Sequence, residues 1–103
     1  MIDFKSRNDL ESMIEKGRAR KILSELLNNR PNFVLFTKHA REKMKERNLR
    51  SGDILNVLKA GNILKNPEFE KGSWRYCAQT PKITVVFAFR TPDQVIVVTS
   101  WRN

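Results

Sequence analysis

The sequence is poor in side chains that bind metals or act as nucleophiles, since its 103 residues include one histidine, His39, and one cysteine, Cys77. A single cysteine excludes an internal disulfide, which favours a reducing, cytoplasmic compartment. The two residues together are too few for an ordinary zinc site, so we expect no metal and no other cofactor. The sequence also lacks an apolar run long enough to span a membrane and a signal-peptide core near its start. We therefore expect a cytoplasmic protein with no membrane contact.

Acidic residues are scarce as well, because eleven Asp and Glu stand against twenty Lys and Arg, giving a net charge of +9. Such a balance implies a positive field over much of a small surface and favours nucleic acid, the ribosome or an acidic protein as partner. The excess of basic over acidic residues is concentrated in residues 37–50. This stretch holds Lys38, Arg41, Lys43, Lys45, Arg47 and Arg50 against Glu42 and Glu46.

The length fits one domain, residues 1–103, in which we distinguish a helical N-terminal extension, 1–31, from a core, 33–103. In the extension, Ser6 or Asn8 is expected to cap a helix. Its apolar stripe, Leu10, Met13 and Ile14, changes phase at Gly17 to a second stripe, Ala19, Ile22, Leu23, Leu26 and Leu27. The helix therefore bends, or divides into two, or offers its second stripe to a partner. The sequence NNRPN, 28–32, predicts a turn.

Two further helices are predicted in the core. Thr37 is a favourable N-cap for a helix that runs to about Arg47. Its buried stripe is Phe36, Ala40 and Met44. Ser51 is expected to cap the next helix, in which Ile54, Leu55, Val57 and Leu58 form the buried face and Gly61 is the C′ glycine that ends it.

The last third of the chain predicts strands at 73–79, 83–89 and 94–101, joined by short turns at 80–81 and 91–93. An edge strand beginning at 63–64 would add a fourth, while the charged stretch around 67–71 predicts a loop. Turns this short require antiparallel pairing. We therefore expect an α+β fold: N-terminal helices, then a three- or four-stranded antiparallel β-meander with helices packed on one face.

His39 and Arg47 stand out on the first of these core helices. His39 falls in the first turn, on the flank of the buried stripe, whereas Arg47 projects along the stripe itself. Two polar groups on that side indicate the rim of a pocket. Equally, His39 could be an ordinary surface residue, and Arg47 could form a structural ion pair with Asp53 or Glu46.

The segments FTKHAREKMKER, SGDILNVLKAG, SWRYCAQT and VIVVTSW follow one another in an order that resembles a family of small bacterial domains, domain of unknown function 4258. The resemblance covers residues 36–102, and its most specific part is the spacing from His39 and Ala40 to Glu46 and Arg47. Such domains are similar in expected fold to the RelE, MqsR and HigB toxins, within a group that includes barnase-like and colicin-like ribonucleases. The resemblance thus implies a RelE-like toxin that cleaves mRNA, on or off the ribosome, and is inhibited by an antitoxin protein.

The resemblance also implies four candidate catalytic residues, His39, Arg47, Arg75 and Thr99. RNA can be cut without a metal when a base removes the 2′-hydroxyl proton, cations stabilise the phosphorane, and an acid protonates the leaving oxygen. His39 would act as base or acid, the arginines would bind phosphate, and Thr99 would contact a phosphate oxygen or orient the histidine. Because only one imidazole exists, another residue or water must complete the proton transfer. Candidate RNA contacts are Lys38, Arg41, Lys43, Tyr76 and Arg90.

Simpler interpretations of the same residues stay open. Trp74 and Tyr76 share a strand face and are typical core aromatics, in which case Arg75 faces solvent. Thr99 is a good strand former and needs no other role. The alternative functions are a non-enzymatic RNA- or ribosome-binding module and a protein-interaction adaptor that uses the second N-terminal stripe. The oligomeric state is left open by the sequence.

Overall fold

The structure, a computed structural model, describes residues 13–29, 34–91 and 94–103. The described helices are α1 (Lys16–Asn29), α2 (Lys38–Glu46) and α3 (Ser51–Ala60). The described strands are β1 (Val34–Phe36), β2 (Glu68–Glu70), β3 (Ser73–Gln79), β4 (Ile83–Thr91) and β5 (Gln94–Arg102). The α+β class expected from the sequence is confirmed. Within the described residues, no helix has the length and apolarity needed to cross a membrane.

The strands form one mixed sheet in the order β1-β5-β4-β3-β2. β1 runs parallel to β5, with Val34 opposite Val95 and Phe36 opposite Val97, whereas the other neighbours are antiparallel. The prediction of a three- or four-stranded, wholly antiparallel sheet was therefore wrong. The difference lies in residues 34–36 and 68–70, neither of which was counted among the strands predicted for the sheet. The apolar segment 33–35 was predicted only to pack or pair briefly before the helix. Residues 34–36 pair with β5 because the long stretch between the two strands permits a parallel crossover.

The charged stretch at 68–70 is a strand where the sequence predicted a loop. β2 pairs with the start of β3 through a two-residue turn, in which Lys71 and Gly72 both have positive φ, 47° and 84°. Turns of this kind match the twist of a hairpin, and a short, charged edge strand is a common protection against further pairing. The edge strand predicted at 63–64 is absent from the described chain, where Asn62 forms a single bridge to Gln79.

All three helices pack against the same face of the sheet. The core takes Tyr76 from β3, Phe87 from β4 and Val97 from β5, which are 2%, 0% and 0% exposed. α1 contributes the buried residues Ala19, Leu23 and Leu27, α2 contributes Ala40, and α3 contributes Ile54, Val57 and Leu58. The second N-terminal stripe is thus buried between α1 and the rest of the core. It is not exposed as the docking surface that a protein-interaction adaptor would use.

The change of phase at Gly17 is explained by where α1 begins. The helix starts at Lys16, and the carboxylate of Glu15 accepts hydrogen bonds from the backbone N–H of Gly17 and Arg18, at 3.0 and 2.7 Å. These bonds lower the pKa of Glu15. The predicted cap, Ser6 or Asn8, and Leu10 lie outside the described residues, as do most of the predicted turn at 28–32 and part of that at 91–93. Met13 and Ile14 were expected in the helix with Leu10, which was wrong, because both precede the start of α1 and are not helical.

The ends of α3 differ from the sequence prediction. Arg50 is the N-cap, and its backbone N–H donates to the carboxylate of Asp53 at 2.8 Å, so Ser51 is the first helical residue. Gly61 has an extended backbone, φ −72°, and is not the left-handed C′ glycine that was expected. It is required for a different reason, since a Cβ there would lie 2.5 Å from the carbonyl oxygen of Val57 and 3.0 Å from that of Gln79. Close contact between α3 and β3 therefore depends on this glycine.

Arg20 of α1 joins that helix to the C-terminal end of α3. Its guanidinium donates to the carbonyl oxygens of Leu58, at 2.5 Å, and Gly61, at 2.7 Å, and also to the hydroxyl of Ser24. The last carbonyls of a helix lack intrahelical partners and carry partial negative charge, so a cation is favourable here. Partial burial lowers the pKa of Arg20. Arg20 is therefore a structural residue.

We predict that Arg20→Ala lowers the free energy of unfolding by about 1–3 kcal/mol, because the two carbonyls lose a charged donor. Urea denaturation monitored by circular dichroism would measure the change. Arg18→Ala is the matched control, since Arg18 is exposed on the same helix. Equal stability of the two variants would contradict a structural role for Arg20.

Tyr76 connects the sheet to the segment just before α1. Its hydroxyl donates to the carbonyl oxygen of Ile14 at 2.8 Å and accepts from the N–H of the same residue at 3.3 Å. The ring stacks on Phe87 with centroids 5.5 Å apart. Burial raises the pKa of Tyr76 to about 12, against the opposing effect of the bond with Ile14.

This raised pKa predicts an alkaline loss of stability. An unfolded tyrosine ionises near pH 10, whereas the folded one does so near 12. Its contribution is therefore constant below about pH 10 and is lost as the pH rises towards 12, by up to about 1.4 kcal/mol per pH unit. Urea titrations between pH 8 and 12 should give a steeper decline for the unsubstituted protein than for Tyr76→Phe. Parallel declines would contradict the prediction.

Candidate functional site

The N-terminus of α2 is fixed to β5 by Thr37. As predicted, Thr37 is the N-cap, and its hydroxyl accepts a hydrogen bond from the N–H of Ala40 at 2.9 Å. The same hydroxyl donates to the carbonyl oxygen of Val98 at 3.3 Å, while the Thr37 N–H donates to that of Val97 at 3.1 Å. The first turn of the helix therefore lies beside the middle of β5.

His39 lies in this first turn and is exposed. At 100° per residue it is roughly 100° from Ala40 and 140° from Met44, the two residues that face the core. Lys43, one turn later on the same flank, forms an ion pair with Glu46 at 3.4 Å. In the described parts of the chain, the imidazole has no hydrogen-bond or ion-pair partner. The backbone of His39 is thus well positioned, but its ring is not oriented by a second group.

Arg47, at the other end of α2, has a structural contact. Its guanidinium is half-buried and donates to the carbonyl oxygen of Ser100 in β5. Asp53, one of the acidic partners considered from the sequence, instead accepts from the N–H of Arg50, and Glu46 pairs with Lys43. The position of Arg47 on the core side of the helix was predicted correctly, but its partner is a backbone carbonyl.

A bulge in β5 sets the direction of Thr99. Ala88 pairs with Ile96, but Val86 pairs with Thr99, so β5 has one residue more than β4 between these pairs. Successive residues of a strand project to opposite faces, and such an insertion reverses the order. Thr99 therefore projects to the same face as Ile96, away from the helices.

A cleft of about 660 Å³, here called the sheet cleft, is lined by residues from both faces of the sheet. From the open face, whose residues alternate with the core residues and are not covered by the helices, come Arg75, Ala88, Arg90 and Ile96. From the side that packs on the helices come Ile14, Trp74, Tyr76 and Phe89. Thr37 and Val98 also belong to the lining. Thr37 reaches the sheet cleft from the side on which α2 begins.

Two arginines lie at the opposite side of the sheet cleft. Arg75 in β3 is half-buried, and its Nε donates to the hydroxyl of Ser73 at 2.9 Å, which holds the guanidinium in place. Arg90, near the end of β4, is exposed. Two guanidinium groups on neighbouring strands can bind phosphate oxygens in pairs, because each presents a planar fork of donors.

The structure does not bring all four candidate catalytic residues into contact. β5 and β4 separate Thr37, which precedes α2, from Arg75 in β3, and three strand spacings amount to roughly 14 Å. Neither His39 nor Thr99 is among the residues that line the sheet cleft, whereas Arg75 is, and Arg47 is bonded to the backbone at the far end of α2. The sheet cleft thus has arginines in its lining and, through Thr37, borders the start of the helix that bears His39.

The remaining predicted RNA contacts have different surroundings. Lys38 and Arg41 are exposed on α2, and Lys43 is half-buried beside Glu46. Tyr76 is 2% exposed, and its hydroxyl is bonded to Ile14, so the prediction that its ring could stack on a base was wrong. The reason is that its strand face packs on the helices, as the core interpretation held.

Neither a reactive thiol nor a metal site is found among the described residues. Burial raises the pKa of the Cys77 thiol, which disfavours the reactive thiolate. Across residues 13–29, 34–91 and 94–103, no three His, Cys, Asp or Glu side chains lie close enough together to hold a metal ion.

Phe69 also lines the sheet cleft, although it was not among the site residues predicted from the sequence. It lies in β2, between two glutamates, and was part of a predicted loop. The alternation Glu68, Phe69, Glu70 was the available signal, since an isolated aromatic between charges in an edge strand faces away from them. Ile96 and Val98 were missed for another reason, because β5 is apolar on both faces and its bulge is not visible in the sequence.

A comparison with known protein families matches most of the region that follows α1. A family model described as domain of unknown function, DUF4258, matches residues 36–102. The chain belongs to the DUF4258 family. The matched region starts at the last residue of β1 and ends with β5, so it contains α2, α3 and every residue that lines the sheet cleft except Ile14, whereas α1 lies outside it. Neither curated proteins nor solved structures gave a significant match.

We predict that Arg47→Ala lowers the free energy of unfolding by about 1–3 kcal/mol, since the carbonyl of Ser100 loses a charged donor. Arg41→Ala removes an exposed guanidinium from the same helix and should change stability by no more than about 0.5 kcal/mol. Chemical denaturation of the two variants measures both effects. Unchanged stability of Arg47→Ala would make a ligand-binding role for Arg47 the better interpretation.

Proposed function

We propose that this member of the DUF4258 family is a metal-independent endoribonuclease with a RelE-like fold, the toxin of a toxin–antitoxin system that cleaves mRNA. The observation that carries the proposal is the sheet cleft. Arginines line one side of it, and the helix that bears the only histidine starts at the other. A cleft that is lined by arginines and borders the start of the histidine-bearing helix suits a single strand of RNA.

In the proposed reaction, the 2′-hydroxyl of one nucleotide attacks the adjacent phosphorus and the bond to the 5′-oxygen breaks. The products are a 2′,3′-cyclic phosphate and a free 5′-hydroxyl. His39 transfers one of the two protons, as base or as acid, and water or another residue transfers the second. Thr99 donates to a phosphate oxygen or orients the imidazole.

Arg75 and Arg90 hold the RNA backbone on the other side of the sheet cleft. The distance across the sheet favours contact with a neighbouring phosphate over contact with the one that is cleaved. Lys38, Arg41 and Lys43 extend the positive surface along α2. The ribosome and an antitoxin protein are the proposed partners, since a small toxin of this kind acts on mRNA and must be inhibited by its host.

A second candidate function is an RNA- or ribosome-binding module without catalysis. The specific observation in its favour is the exposed imidazole of His39, which lacks an orienting partner in the described residues. Active acid–base residues are usually oriented by a neighbouring group. Such a module would bind RNA with a strong dependence on salt and release it uncut.

We predict that His39→Ala slows RNA cleavage by about 10²–10⁴-fold, the usual contribution of an acid–base residue. Cleavage of a labelled mRNA fragment, followed by electrophoresis, measures the rate, and EDTA should leave it unchanged. Arg75→Ala should reduce cleavage as well, through weaker RNA binding. Thermal unfolding of each variant establishes that the fold is retained.

Lys59→Ala is the control for a general loss of positive charge, because Lys59 is exposed on α3 and does not line the sheet cleft. Cleavage by His39→Ala at the rate of the unsubstituted protein would refute the catalytic role. RNA that is bound but uncut by the unsubstituted protein, with and without ribosomes, would favour the binding module.

A further inference from the structure

Phe69 is an exposed aromatic residue on a rigid hairpin. It lies in β2, with 57% of its surface exposed, and its ring contacts Trp74 of β3 in a T-shaped arrangement, with centroids 5.0 Å apart and an interplanar angle of 67°. The two residues are direct cross-strand partners. A single exposed apolar side chain is common, but Phe69 and its partner Trp74 both line the sheet cleft, whereas the equally exposed Leu64 does not.

The sheet cleft contains Phe69 and Trp74 together with Arg75 and Arg90. Trp74 and Arg75 are successive residues of one strand and project to opposite faces. The sheet cleft therefore reaches round the edge of the hairpin, with aromatic rings on one side and a guanidinium on the other. A nucleotide has the same division, because its ribose separates a flat base from a charged phosphate.

The charges around Phe69 are of both signs. Its neighbours Glu68 and Glu70 alternate with it and project to the other face of β2, which is the face of Arg75, the cross-strand partner of Glu68. The carboxylate of Glu68 forms an ion pair with Lys65 at 3.2 Å, which reduces its repulsion of a phosphate. Among the described residues that line the sheet cleft there are two guanidinium groups and no carboxylate.

We infer that Phe69, held against Trp74 and beside Arg75 and Arg90, is a stacking platform for one unpaired base, so that the protein selects single-stranded RNA. The inference rests on the proposed function, in that it takes RNA as the ligand of the sheet cleft. Bases of a duplex are stacked on each other and cannot reach such a platform, whereas splayed single-stranded bases stack readily on aromatic side chains. An aromatic ring accepts any base, so the platform selects strandedness and not sequence.

The test compares the binding of an eight-nucleotide single-stranded RNA with that of a blunt duplex of the same sequence. Fluorescence anisotropy of the labelled RNA gives both affinities. The variants are Phe69→Ala, Phe69→Leu, which keeps an apolar side chain but no aromatic face, and Phe69→Trp, which keeps the face. Leu64→Ala is the matched control, because Leu64 is 60% exposed and does not line the sheet cleft.

Phe69→Ala and Phe69→Leu should each weaken single-strand binding roughly 5- to 150-fold, the range found when one base loses its stacking partner. Phe69→Trp and Leu64→Ala should retain the affinity of the unsubstituted protein, and duplex binding should be the same in all of them. Single-strand affinity that is unchanged in Phe69→Ala, or retained in Phe69→Leu, overturns the inference. Thermal unfolding of the variants excludes a loss of fold.

The result separates this inference from the proposed ribonuclease activity. Single-strand binding that depends on Phe69, in a protein that leaves RNA uncut, supports the platform and refutes the nuclease. Cleavage by the unsubstituted protein with no effect of Phe69 substitutions on binding refutes the platform alone. A protein that binds neither form of RNA refutes both.

Discussion

The attachment of α2 to β5 at both of its ends is the constraint on which the candidate site depends. Thr37 bonds the start of the helix to the carbonyl of Val98, and Arg47 bonds its end to that of Ser100. Arg102 adds bonds from the end of β5 to the carbonyls of Arg47 and Asn48, at 3.2 and 2.8 Å. Helix ends are where backbone groups lack partners, and here the Thr37 hydroxyl accepts from the N–H of Ala40 while Arg102 donates to the carbonyls that follow α2. The direction of α2 is thus determined by the sheet.

This attachment in turn requires the unusual features of the sheet. The parallel pairing of β1 with β5 brings the chain to the edge of β5 at Thr37, where α2 can begin beside it. The bulge at Val98 then directs Thr99 to the open face and the side chain of Ser100 to the buried one, where it is 0% exposed. Without the bulge, the two residues would exchange faces. The direction of Thr99, a candidate catalytic residue, therefore depends on a one-residue insertion in the ladder.

Local features of the structure could be predicted from the sequence, and non-local ones could not. Thr37 was identified as an N-cap because its hydroxyl acts within three residues, and Tyr76 could be assigned to the core because alternation along a strand is local. The parallel partner of 34–36 lies at 95–97, some sixty residues away, and the bulge depends on how the backbones of β4 and β5 pair; every residue carries the same backbone groups. For the same reason the side chain of Arg47 was placed on the correct helix face, while its carbonyl partner was unpredictable.

The net charge of +9 is a poor measure of the surface available to RNA, because several guanidinium groups have backbone partners. Arg20 bonds the end of α3, Arg102 bonds the end of α2, and Arg47 bonds a strand carbonyl. A cation at a helix C-terminus is stabilised by the aligned peptide dipoles, so these residues act within the fold. Arg75 and Arg90, in contrast, line the sheet cleft. An arginine substitution in this protein can therefore reduce activity either by loosening a helix end or by weakening phosphate binding, and only a parallel measurement of stability separates the two.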